Sequence, residues 1–111
     1  MKHLMVVLIA ALGFAGCSVQ SVQKDWFASG GSRADGTVQL SVTWALFEEP
    51  VVDEAQGIAL AQSKCGGWGY SGAEAFGGTV TECNSTDYEG DCDGWIATAT
   101  YQCLGRPAQA K

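Results

Sequence analysis

The sequence predicts a small α+β domain in the order β-α-β-β: one helix packed on a three-stranded antiparallel sheet, stapled by disulfides. Three observations predict it. A run at 37–47 alternates apolar and polar residues at period two, a capped helical pattern fills 53–67, and four cysteines follow at positions 65, 83, 92 and 103. The 111 residues allow one domain at most.

In the run 37–47, Val38, Leu40, Val42, Trp44 and Leu46 share one face, and Thr37, Gln39, Ser41 and Thr43 the other. Pro50 closes this strand. Asp53 then reads as a helix N-cap, with Gln56 three residues on completing a capping box. Ala55, Ile58, Ala59, Gln62 and Cys65 form the expected buried stripe, and Gly66-Gly67 stops the helix. A second strand is expected over 73–83, with Gly77-Gly78 marking a bulge or a close backbone approach. An acidic loop over 84–94 leads to a third strand at 95–104, with Trp95, Ala97, Ala99, Tyr101 and Cys103 on one side. The expected sheet order is 2-3-1. Residues 18–32 are polar and lack either periodicity over most of their length, so they read as part of a tether, interrupted by Trp26-Phe27; docking of these two as a short extended arm is the favoured reading, and contact with the lipid headgroup region the alternative.

The N-terminus reads as an address. Met1-Lys2-His3 is cationic, and residues 4–15 carry no charge. A run of that length is too short to span a bilayer, which takes ~20 apolar residues, and fits the apolar core of a secretory signal. It ends Phe14-Ala15-Gly16-Cys17. Small residues followed by cysteine resemble the lipobox of bacterial lipoproteins, here with Phe14 where Leu is usual. The resemblance implies that residues 1–16 are removed and that Cys17 is lipidated, with palmitate among the expected acyl groups. Two or more chains make such an anchor durable. In a Gram-negative host, the resemblance with Ser18 rather than Asp after the cysteine implies the periplasmic face of the outer membrane. The alternative is an ordinary signal peptide with an incidental cysteine. The expected organisation is a signal peptide at 1–16, a lipidated N-terminus and flexible tether at 17–34, the domain at 35–105, and a flexible tail at 106–111.

Five cysteines are an odd number for an exported chain. Assigning Cys17 to lipid leaves Cys65, Cys83, Cys92 and Cys103, whose spacing lacks the C-x-x-C of zinc sites and favours two disulfides in the oxidising periplasm. Four cysteines allow three connectivities, of which the strand order favours Cys83–Cys92 across a hairpin with Cys65–Cys103.

Signals of chemistry are weak. Acidic residues outnumber basic ones 12 to 6, which argues against nucleic acid as a partner. Gly67-Trp68-Gly69-Tyr70-Ser71-Gly72 spells G-x-G-x-x-G, but a helix precedes it and a strand follows, the reverse of a dinucleotide site. Asp87, Glu89, Asp91 and Asp93 alternate like the start of a calcium loop, although the closing Glu is missing; weak Ca²⁺ ligation stands beside a solvated hairpin loop as the default. Removal of the leader would take the single His, and with it any imidazole base or metal ligand. Ser63-Lys64 are neighbours on a helix and face apart, and Glu74 and Glu82 are too distant along one strand for a glycosidase pair. No catalytic residue, cofactor or metal is expected. Trp44, Trp68, Trp95, Tyr70 and Tyr101 read first as core and rim, with an exposed subset forming a protein or glycan contact patch as the alternative.

The combination resembles the YecR-like lipoproteins. The matching features are the lipobox ending at Cys17, the stretch GGSRADGTV at 30–38, the helix end with Cys65 followed by Gly69-Tyr70, and the closing Tyr101-Gln102-Cys103. The resemblance implies an envelope lipoprotein held to the membrane by its lipid, and it carries over no catalytic or binding residue. The expected role is a non-enzymatic interaction domain with an envelope protein as partner. The alternatives are a periplasmic Ca²⁺ or small-ligand binder, an inhibitor of an envelope protein, and an enzyme using carboxylates alone.

Overall fold

The computed structural model describes residues 18–105. The leader, Cys17 and residues 106–111 lie outside the described residues, and so do the expectations for them.

One helix is present as expected, but the sheet is larger. Seven strands replace three: β1 (Gln20–Lys24), β2 (Phe27–Ser32), β3 (Thr37–Ala45), β4 (Glu48–Val52), then α1 (Glu54–Gly67), β5 (Gly72–Ala75), β6 (Val80–Thr86) and β7 (Cys92–Leu104). They form a five-stranded antiparallel sheet, β2-β3-β7-β5 with β6 also on β7, and a separate parallel pair, β1-β4. The expectation of a three-stranded sheet is therefore wrong. Two of the additional strands lie in the supposed tether. β2 is an edge strand, FASGGS, almost wholly exposed, so it needs no apolar alternation to pair its backbone with β3. β1 likewise gains its conformation from β4, and Pro50 sits inside β4 rather than ending a strand, tolerated because that strand pairs on one side only. The expected strand over 73–83 is split. Gly77 adopts φ +78°, and the backbone breaks there between β5 and β6, which pair with successive stretches of β7.

The core follows the alternation of β3 and β7. Val38 pairs with Tyr101, Leu40 with Ala99, Val42 with Ala97 and Trp44 with Trp95. Val38, Leu40, Val42, Ala97 and Tyr101 are buried beside Ala61 and Cys65 of the helix and Ala73 and Cys103 of the sheet.

Asp53 caps α1 as its sequence position predicts, its Oδ1 accepting the Ala55 N–H at 2.9 Å. Gln56 does not complete the capping box. Its Oε1 accepts the Trp26 N–H at 2.8 Å and its Nε2 donates to the Trp26 carbonyl at 3.1 Å. The buried stripe also differs from expectation: it is Gly57, Ala61 and Cys65, while Ile58 is 40% exposed. The reason is Trp26. Its indole lies so close to the helix that a Cβ on Gly57 would stand 2.8 Å from Cδ1. Trp26 is thus a core residue, docked across the helix.

Gly57→Ala sets two effects against each other. Alanine gains ~1 kcal/mol of helix propensity over glycine. Displacing a packed indole costs ~1–3 kcal/mol as overpacking, and the ring has little room to yield. A net loss of stability is expected in urea unfolding, against the gain that an unobstructed helix position would give.

Tyr101 provides a second check. Burial pushes its phenol above the ordinary value of 10.0, and the Glu54 carboxylate adds to the shift. The folded state therefore holds the proton more tightly than the unfolded chain. The stability this lends is complete below the unfolded value and is lost as pH rises through the folded one. Thermal melts of the wild type are expected to fall above about pH 10 more steeply than those of Tyr101→Phe.

Candidate functional site

The four described cysteines are all bridged. Cys65 in the last turn of α1 joins Cys103 of β7, with Cα atoms 5.5 Å apart, and Cys83 of β6 joins Cys92 of β7, with Cα atoms 5.9 Å apart. These are the pairings expected from the strand order. Cys17 is the fifth cysteine.

The acidic hairpin does not gather its carboxylates. Asp87 Oδ1 accepts the N–H groups of Glu89 and Asp91, each at 2.9 Å, and so shapes its own turn. Asp93 Oδ1 accepts the Ser85 hydroxyl at 2.6 Å. Among the described residues no three His, Cys, Asp or Glu side chains converge as a metal site would require. Of the four weak Ca²⁺ candidates Asp87, Glu89, Asp91 and Asp93, two spend a carboxylate oxygen on hydrogen bonds that build the hairpin.

Glu74 faces Gln102, and Glu82 faces Ile96, six residues apart along β7. At ~3.3 Å per residue that is about 20 Å, beyond the reach of a glycosidase pair. The G-x-G-x-x-G segment is a helix end and turn: Trp68 caps α1, Tyr70 N–H returns to the Cys65 carbonyl at 3.0 Å, and β5 begins at Gly72.

The aromatic residues divide as expected between core and rim. Tyr101 is buried, and Trp44, Trp68 and Tyr70 pack half-buried against the core. Trp44 and Trp95 stack with centroids 6.5 Å apart. Tyr70 Oη donates to the Arg33 carbonyl at 2.9 Å and closes over Gly36, whose φ of +69° makes the β2–β3 turn. Trp68 lines an open cleft of about 250 Å³ with Ala28, Gly30, Gly31, Val38 and Lys64. Its lining is apolar apart from Lys64, the one charged residue among the six.

Two features had no counterpart in the sequence reading. Across the sheet face carrying Ser41, hydroxyls connect β2, β3 and β7: Ser29 Oγ lies 2.7 Å from Ser41 Oγ, which lies 2.9 Å from Thr98 Oγ1. Phe27 and Val80 end the same row and are exposed. The other is the turn between β3 and β4. Phe47 has φ +68°, a left-handed conformation unusual for an aromatic residue, and is 54% exposed; Leu46 beside it is 46% exposed. The turn is held from three sides. Glu48 Oε1 accepts the Ala45 N–H at 2.9 Å, Leu46 N–H donates to the Asp93 carbonyl at 3.1 Å, and Gln20 N–H donates to the Phe47 carbonyl at 2.9 Å. Lys24 Nζ lies 3.0 Å from Glu48 Oε1. The Ala45 N–H, then Lys24, hold the Glu48 carboxyl below its usual range.

A family model described as YecR-like lipoprotein matches residues 25–104, from Asp25, next to the docked Trp26, to the end of β7. A search of curated proteins finds no match to the chain.

Proposed function

The chain belongs to the YecR-like lipoprotein family and is thereby a lipoprotein of the bacterial envelope; from that premise we propose that Cys17 carries the lipid and that residues 18–105 are a non-enzymatic interaction domain at the periplasmic face of the outer membrane. The observation that carries the reading is the cysteine count. With Cys65–Cys103 and Cys83–Cys92 paired, the fifth cysteine is the one that follows Phe14-Ala15-Gly16. Cleavage before Cys17 and acylation of its thiol account for it, and Ser18 in place of Asp favours the outer membrane. Acyl chains contribute ~0.8 kcal/mol per buried CH₂, so two or three hold a domain of this size durably.

The contact surface best suited to a partner is the Trp68–Lys64 cleft. An indole beside a lysine suits an apolar or aromatic segment bearing a carboxylate.

Mass spectrometry of protein from its native host tests the anchor. Acyl mass on a chain beginning at Cys17 is expected, in outer-membrane fractions. A bare thiol, or an intact leader in the cytosol, overturns it. A photo-crosslinking residue at position 68 in living cells tests the cleft: a discrete adduct with an envelope protein, diminished by Lys64→Glu, is expected, and its absence removes the cleft from consideration.

A further inference from the structure

We infer that the Leu46–Phe47 turn, together with Val19, is a membrane-docking tip: it seats in the headgroup region of the bilayer that holds the anchor, so that the domain rests on the membrane. The inference rests on the lipid-anchor reading above and adds where the domain lies.

The placement follows from β1. Its parallel register sets Gln20 against Glu48, so Val19 and the Leu46–Phe47 turn sit at the same end of the two-stranded sheet. Val19 is 59% exposed there. Gln20 N–H is bonded to the Phe47 carbonyl. Cys17 is three residues earlier in the chain, and three residues reach at most ~11 Å. A lipid on Cys17 therefore brings this end to the bilayer, since no slack separates the anchor from the fold.

The chemistry of the tip suits that position. Three apolar side chains are exposed at one end, where single scattered ones would call for no explanation. Holding an aromatic residue at φ +68° costs free energy, and surrounding contacts must enforce it. Here Glu48, Asp93 and Gln20 do so, and the result displays Phe47 instead of burying it. Apolar and aromatic side chains at the boundary of headgroups and acyl chains remove such surface from water.

Charge adds a specific expectation. β3 ends with Ala45 opposite Gly94, so the hairpin bearing Asp87, Glu89, Asp91 and Asp93 leaves the sheet at this same end. Anionic headgroups would repel it. Docking is therefore expected to prefer zwitterionic headgroups, and on anionic ones to strengthen with added salt as repulsion is screened.

The test uses the full chain, produced in a bacterial host and reconstituted into vesicles of phosphatidylethanolamine and phosphatidylcholine. Phe47→Trp adds a reporter indole, and bromine on the lipid acyl chains quenches an indole in contact with them. The emission added by Phe47→Trp is expected to be blue-shifted and quenched. Adding Leu46→Ser is expected to lower the ratio of docked to undocked protein about tenfold, and phosphatidylglycerol at low salt to lower it as well. An added indole that emits as in water and is not quenched overturns the proposal. The acyl mass on Cys17, measured on the same sample, reports separately on the anchor. A lipidated chain with a solvated tip refutes docking alone. A bare Cys17 with a quenched tip refutes the anchor and leaves docking supported.

Discussion

Trp26→Ala is expected to destabilise the domain by about 3–5 kcal/mol, the usual cost of truncating a buried tryptophan. Trp26 is only 6% exposed and belongs to the core cluster. Its ring fills the space left by Gly57, and its backbone N–H and carbonyl are both taken by the Gln56 amide. Removing the ring leaves a cavity against a helix face made of Gly57, Ala61 and Cys65, which has no larger side chain to collapse into it. The indole Nε1 is buried without a hydrogen-bond partner. An unsatisfied buried donor costs ~1–3 kcal/mol, so Trp26→Phe relieves one penalty while losing some volume. It is expected to cost far less than Trp26→Ala. Urea unfolding of the two variants measures the difference. Equal losses would mean that the indole nitrogen is solvated after all, and a negligible loss for Trp26→Ala would mean that the arm is not docked.

Loss of the Cys65–Cys103 bridge is the second large effect. The bridge spans 38 residues, and loop-closure entropy on that scale corresponds to about 4 kcal/mol. Both sulfurs are also buried in the core, so replacing them with alanine adds a packing loss. The Cys83–Cys92 bridge spans 9 residues in an exposed hairpin, for which the same relation gives about 2.5 kcal/mol. Removing the first bridge is therefore expected to unfold the domain near physiological temperature, and removing the second to loosen the hairpin and lower the melting temperature less. A core of this size rarely yields more than ~3–5 kcal/mol alone, so reduction of both leaves no folded state. Thermal melts of the Cys65→Ala/Cys103→Ala and Cys83→Ala/Cys92→Ala pairs, and of the wild type in strong reductant, provide the comparison. An unchanged melt in reductant would contradict the account.

What the sequence disclosed depended on whether an element declares itself by its own burial. β3 does: Val38, Leu40 and Val42 are buried and the alternation is plain. Asp53 declares the helix start through its own hydrogen bonds. The cysteine pairs follow because β7 lies beside both β5 and β6. β1 and β2 do not declare themselves. Their side chains are mostly exposed, and what makes them strands is the backbone of β4 and β3. The helix face was misread because Ile58 is the more apolar residue, whereas the packing selects the smallest side chain, Gly57, to admit an indole from 31 positions earlier in the chain. A glycine at the end of the first helical turn, four residues before Ala61 and eight before Cys65, was the available sign of that close approach. The acidic hairpin had the residue types of a cation loop, but Asp87 directs its oxygen to backbone amides, a choice that residue type alone does not reveal.

The parallel pairing of β1 with β4 also has a mechanical consequence. A pull on Ser18 runs along the axis of β1, past the five paired positions from Gln20 to Lys24. The ladder is loaded in shear, so its hydrogen bonds share the force instead of opening one after another as in a peeled hairpin. At the far end of β1 the chain enters the core through Trp26, which must be dragged out past the helix before the strand can slide free. Tension applied at the N-terminus thus meets its greatest resistance at the outset, and extension under force is expected to begin with a single high-force rupture.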